Sequence, residues 1–165
     1  MRSLWRKIRA TGRVAEPAPD APAYALSDRA ATARTALAGS VQFRHVDTGS
    51  CNGCEIEIGA AFGPVYDAER YGARLVASPR HADGLLVTGP VTRNMAEPLR
   101  RTYQAVPDPT LVVAVGDCAR NCGVFAKAYG VAGPVSAVVP VDLEIPGCPP
   151  RPEASVVGIR MLTGQ

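Results

Sequence analysis

Apolar residues along this chain fall into two textures that meet near residue 40. From residue 41 onward, short apolar runs bounded by turn residues alternate with stretches of helical spacing. Val41 to Val46 predicts a strand ending at Asp47-Thr48-Gly49-Ser50. Arg74 to Ala77 and Gly84 to Val87 predict two more, the second closed by Thr88-Gly89-Pro90. Leu111 to Val115 is a Val-rich run between Pro109 and Gly116, which suits a strand buried on both faces. Val135 to Val139 predicts a further strand. Helices are expected after Cys54, where Ile58, Ala61 and Phe62 recur, and over Thr92 to Val106, where Met95, Leu99 and Tyr103 stand four apart. A closing helix, Pro152 to Leu162, carries proline in its first turn. Strands alternating with helices predict an α/β three-layer domain with a mostly parallel sheet over residues 41–165.

Residues 1–40 read differently. Leu4, Trp5 and Ile8 are spaced to share a helix face within a basic start made by Arg2, Arg6, Lys7, Arg9 and Arg13. This is either a solvated flexible tail or a basic amphipathic segment on a membrane surface or membrane-bound partner. An Ala/Pro-rich linker with Pro17, Pro19 and Pro22 follows, then a short helix, Ser27 to Ala38, with Ser27 as N-cap.

Composition narrows the class. The 165 residues suit one domain, and 47% hydrophobic with 20% charged residues argues for a globular chain. A net charge of +3 is too small to indicate nucleic-acid binding, and the basic start leaves the rest slightly acidic. No apolar run approaches a membrane span, and charges interrupt any secretory h-region near the start. The expectation is a cytoplasmic chain.

The five cysteines carry the chemistry. Cys51 and Cys54 form C-x2-C, Cys118 follows after 63 residues, and Cys148 after another 29, with Cys122 four beyond Cys118. An odd count does not suit a secreted disulfide framework. Cys51 follows the first predicted strand and Cys118 follows Leu111 to Val115, while Cys148 sits in Pro146-Gly147-Cys148-Pro149-Pro150. Ligands gather at the carboxyl ends of strands in open α/β sheets, so these thiols can converge there. Gly49, Gly53, Gly116 and Gly147 flank them and permit close backbone approach. Four thiolates held this way suit a cubane iron–sulfur cluster. Zinc on Cys51, Cys54, Cys118 and Cys122, or a redox dithiol at Cys51/Cys54, are the alternatives. Cys122 is expected to be a buried bystander.

Other polar residues have plainer readings. His81 and Asp83 suit helix-end and surface hydrogen bonding rather than tuning of a neighbouring site, and His45 suits a packed or capping role. Glu55 and Glu57 place favourable charge at a helix N-terminus. Arg93, Arg100 and Arg101 suit a solvated helix face, with a partner surface as the alternative. No residue is needed as a nucleophile or proton donor.

The runs VDTGSCNGCEIEI, YDAERYGARLVASPRHADGLLVTGPVT, AVGDCARNCGVF and VPVDLEIPGCPPRP, in this order over residues 41–163, resemble one family. It is the 20 kDa, or B-type, subunit of respiratory NADH:quinone oxidoreductase, with the small subunits of membrane-bound energy-converting [NiFe] hydrogenases and formate hydrogenlyase. The resemblance implies a flavodoxin-like fold and one [4Fe-4S] cluster on Cys51, Cys54, Cys118 and Cys148. It implies an electron-transfer role against a large catalytic subunit of the hydrogenase or 49 kDa type. A ferredoxin-like iron–sulfur subunit and membrane-embedded subunits are the other implied partners, with the complex on the inner face of the cell membrane. The respiratory subunit usually carries two adjacent cysteines in the first motif. Cys51-Asn52-Gly53-Cys54 is instead similar to the hydrogenase branch, which puts quinone reduction in doubt.

Overall fold

The structure is a computed structural model that describes residues 2–12 and 24–165. The expected proline-bearing linker lies outside the described residues. In chain order the elements are α1 (Arg2–Thr11), α2 (Asp28–Ala36), β1 (Val41–Asp47), α3 (Gly53–Ala61), β2 (Ala73–Leu75), β3 (Gly84–Thr88), β4 (Val91–Thr92), α4 (Arg93–Ala105), β5 (Leu111–Val115), α5 (Asp117–Asn121), β6 (Val131–Gly133), β7 (Leu143–Ile145) and α6 (Pro152–Thr163).

Five strands form one parallel sheet in the order β2-β1-β3-β5-β7. With the small antiparallel β4-β6 ribbon set aside, this is the 2-1-3-4-5 order of flavodoxin-like folds. Side chains alternate across the sheet as strand geometry requires. Leu86, Leu111, Val113 and Val115 point to one face, where Ile58 and Ala61 of α3 and Ile159 and Leu162 of α6 cover them. Leu85, Val87, Val112 and Ala114 point to the other, against Leu99 of α4 and Val135 and Val139. β3 and β5 are buried at every position, which is why their sequences show no polar alternation. The three-layer expectation is met.

Two differences from the sequence reading have physical causes. Val135 to Val139 is not a strand; Val135–Ala137 is one 3-10 turn following Pro134. Its buried valines are four apart, a helical interval, and both plug the α4 side of the sheet. The sheet is closed by β7 instead, whose short Leu-Glu-Ile alternation buries Leu143 and Ile145 and leaves Glu144 exposed. The free edge of β7 is partly covered by Leu26, which bridges Leu143 antiparallel.

The helix preceding the sheet is α2, capped by the Ser27 hydroxyl, which accepts from the Ala30 N–H at 3.0 Å. Ala30 and Ala33 are buried in the core with α6. Arg29 clamps it in place, since its Nε donates to Asp142 at 2.9 Å and its Nη1 to the Tyr103 hydroxyl at 2.9 Å.

Candidate metal centre

Four of the five strand-end loops meet at one opening at the carboxyl end of the sheet. The segments after β1, β3, β5 and β7 surround a small opening of about 80 Å³ lined by Cys51, Cys54, Cys118 and Cys148 together. Gly89 and Asp117 are in the same wall.

Each thiol arrives there for a local reason. Asp47, the last residue of β1, accepts from the N–H groups of Gly49 and Ser50, both at 2.8 Å, and so folds the chain toward Cys51. Asn52 then adopts a left-handed conformation, φ 70°, and α3 begins, setting the buried Cys54 in its first turn. Cys118 is buried in the first turn of α5. The N–H of Asp117 donates to the Gly147 carbonyl at 2.8 Å, and its carboxylate accepts from the Gly147 N–H at 3.0 Å. This reciprocal pair binds the Cys148 loop to α5. Arg120 adds a second tie through its bond to Glu144 at 3.0 Å.

The space at the centre depends on missing side chains. Gly116 has φ +89°, and a Cβ built there would lie 2.6 Å from Cys54 Sγ. A Cβ at Gly89 would meet the Ser50 backbone nitrogen at 2.5 Å, so the β1 and β3 loops can touch only if this residue is glycine.

The thiols share one electrostatic environment. Burial, followed by the nearby Glu55, Cys118, Cys51 and Cys148, pushes the Cys54 thiol up to about 12. Burial, then Cys148 and Cys51, likewise pushes Cys118 up. Left alone these groups keep their protons, and a bound cation would displace them. Among the described residues no three His, Cys, Asp or Glu side chains stand close enough to hold a single metal ion between them.

Cys122 is not in this wall. It caps α5 at φ 68° with its N–H on the Cys118 carbonyl, is buried, and is pushed up by burial alone, without influence from the other thiols. The fourth member of the gathered set is Cys148, so the Cys122-containing set weighed for zinc is not the one that the fold assembles.

The remaining sequence candidates separate cleanly. His81 and Asp83 lie at the amino ends of the strands, opposite the thiols, where the Asp83 carboxylate accepts from the Gln42 N–H at 2.7 Å. Arg100 and Arg101 pair with Glu97 along the exposed face of α4. His45 contributes Nε2 to a 3.0 Å hydrogen bond with the Thr88 hydroxyl, and that hydroxyl donates to Glu55. Glu55 therefore turns inward from the first turn of α3, and its Oε2 is buried without a partner. Sequence reasoning missed this His45–Thr88–Glu55 chain, as it missed Asp117. The nearest signal was a threonine at the end of an otherwise apolar strand.

Residues 51–162 match the family described as NADH ubiquinone oxidoreductase, 20 kDa subunit. The chain belongs to that family. Over 115 residues it is 53% identical to a probable membrane-bound hydrogenase subunit of Pyrococcus furiosus, covering 70% of this chain and 69% of that one. It is 51% identical to formate hydrogenlyase subunit 7 of Escherichia coli over 119 residues, 72% of this chain but only 47% of the relative. The B-type subunit of NADH-quinone oxidoreductase from Bacteroides thetaiotaomicron is 48% identical over 66% of this chain and 56% of its own length. The chain thus spans about half the length of two of these relatives. Among solved structures, a chain of an archaeal membrane-bound sulfane sulfur reductase, a respiratory membrane complex, superposes with TM-score 0.69 at 36% identity, over 79% of this chain and 72% of that one. A chain of an NAD+-reducing [NiFe]-hydrogenase shares the fold with TM-score 0.54 at 22% identity, over 69% and 85% of the two chains. The relatives are subunits of oxidoreductase complexes. No helix among the described residues is long and apolar enough to cross a membrane.

Proposed function

We propose that this chain is an electron-transfer subunit carrying one [4Fe-4S] cluster on Cys51, Cys54, Cys118 and Cys148. The observation that carries the proposal is the convergence of these four thiols, from the loops after β1, β5 and β7, on one small opening. The donor set suits the group, being four sulfurs around space that a Cβ at Gly116 would fill. A cluster uses all four thiols, each on its own iron, and draws them from three separate loops. The cluster domain expected over residues 41–165 takes in residues 24–40 as well in this reading, because Ala30 and Ala33 of α2 are buried in its core and Leu26 bridges β7.

When bound, such a cluster accepts and releases one electron at a time. The chain's own residues hold and insulate it. Cys54 and Cys118 anchor it from the buried side, Cys51 and Cys148 from the exposed side, and Asp117 fixes the loop that bears Cys148. Two ligands at the surface mean that a partner must cover this end of the sheet to exclude water. The large catalytic subunit fills that role in this reading, and a ferredoxin-like iron–sulfur subunit supplies or removes the electron. Membrane-embedded subunits hold the assembly on the inner face of the membrane. C-x2-C in the first motif and the 53% identity to a hydrogenase subunit favour the hydrogenase and formate hydrogenlyase branch. The 48% identity to a quinone-oxidoreductase subunit supports quinone chemistry in the partner as the second reading.

Anaerobic purification tests the cofactor. We expect about four iron and four sulfide per chain and a cubane-type EPR signal after dithionite reduction. Stoichiometric zinc without sulfide would overturn the proposal. Cys148→Ala should abolish the signal and Cys122→Ala should retain it; loss in both would overturn the ligand assignment.

A further inference from the structure

We infer that α1 is a lipid-surface anchor, a basic amphipathic helix that lies in the interface of an anionic bilayer. At 3.6 residues per turn, Leu4 and Ile8 stack one turn apart and Trp5 falls beside them, so the three share one face. They are 61%, 51% and 61% exposed respectively, and every residue from Leu4 to Gly12 is exposed. Nothing in the described fold covers this face. On the same helical projection Lys7 and Arg9 flank the apolar stripe on its two sides, and Arg6 lies opposite. The first turn carries no acid.

That arrangement selects its occupant. A ten-residue helix spans about 15 Å, half the hydrocarbon thickness of a bilayer, so α1 is too short to cross one. Lying flat, it inserts Leu4 and Ile8 among the acyl chains, with the Trp5 indole at the headgroup level where tryptophan is favoured. Lys7 and Arg9 then extend along the apolar flank to the lipid phosphates. Cations without a single acid in the segment match anionic headgroups and have no complement on a neutral bilayer. The inference leans on the proposed function only for the source of the membrane.

The test is co-sedimentation of the full chain with vesicles of phosphatidylcholine alone or mixed with phosphatidylglycerol. The chain should sediment with the mixed vesicles, remain free with the neutral ones, and be released by raised salt. Arg6→Gln, Lys7→Gln and Arg9→Gln should each weaken partitioning about fivefold. The Trp5→Ala/Ile8→Ala double variant should weaken it at least about tenfold. These positions lie outside the core, so circular dichroism of the variants should match the parent. Equal partitioning on both vesicle types, or variants that partition like the parent, would overturn the inference. So would retention only on membranes holding the other subunits, which would make a protein the occupant. Iron and sulfide measured on the same samples are independent of this result, so either reading can fail without the other.

Discussion

Asp117 and Gly147 hold each other by two opposed hydrogen bonds, backbone to backbone at 2.8 Å and backbone to carboxylate at 3.0 Å. Through that pair the turn bearing Cys118 and the loop bearing Cys148 become one unit, although 29 residues separate the two thiols. Asp117→Ala should cost about 1–2 kcal/mol by leaving the Gly147 N–H unsatisfied and freeing Arg120. Iron per chain should fall more than thermal stability suggests. Asp117→Asn keeps an acceptor and should recover most of the iron.

Gly116→Ala tests whether the centre needs its empty space. The methyl would sit 2.6 Å from Cys54 Sγ at a backbone φ of +89°, a strain of about 1–3 kcal/mol. We expect loss of iron and sulfide together with a lower unfolding midpoint. Gly59→Ala, on α3 with nothing within 4 Å, should be neutral or stabilising by up to about 1 kcal/mol.

The Arg29–Asp142 pair is testable apart from the thiols. The Asp142 side chain is fully buried; it accepts from the Val112 N–H at 2.8 Å and the Ser27 hydroxyl at 2.6 Å as well as from Arg29. Arg29→Met should cost about 2 kcal/mol in urea unfolding, less than for a wholly buried pair because Arg29 is part-exposed and two donors remain. The double variant Arg29→Met/Asp142→Asn should recover part of that loss.

Acid should weaken the fold through His45. Burial, opposed by Glu55 and Asp47, holds its imidazole below the usual value of 6.5. The unfolded chain therefore takes up a proton first as pH falls through 6.5, and stability declines until pH drops below the lowered folded value. His45→Gln should flatten the stability profile where pH falls through and below 6.5, measured by denaturant unfolding.

Much of the architecture was legible in the chain. Leu111 to Val115 announced a doubly buried strand, and the four-residue spacing of Met95, Leu99 and Tyr103 announced α4. Local periodicity suffices there because each element buries a face of its own. It failed at Val135 to Val139, where a short apolar run has no decisive period, and at β7, where three residues are too few to show one.

By itself the sequence determined most of the strands and helices, the C-x2-C motif and the order in which the remaining thiols follow. Only the tertiary structure decided which thiols meet. Cys122 is nearer to Cys118 in the chain than Cys148 is, yet its left-handed cap sets it outside the wall. Cys148 enters because β7 pairs with β5 and Asp117 ties down the loop beyond it. The same packing sent His81 and Asp83 to the far end of the sheet and turned Glu55 inward onto Thr88. Parallel pairing joins segments by register across the sheet, and nothing local in a chain encodes which distant strand end will lie alongside it.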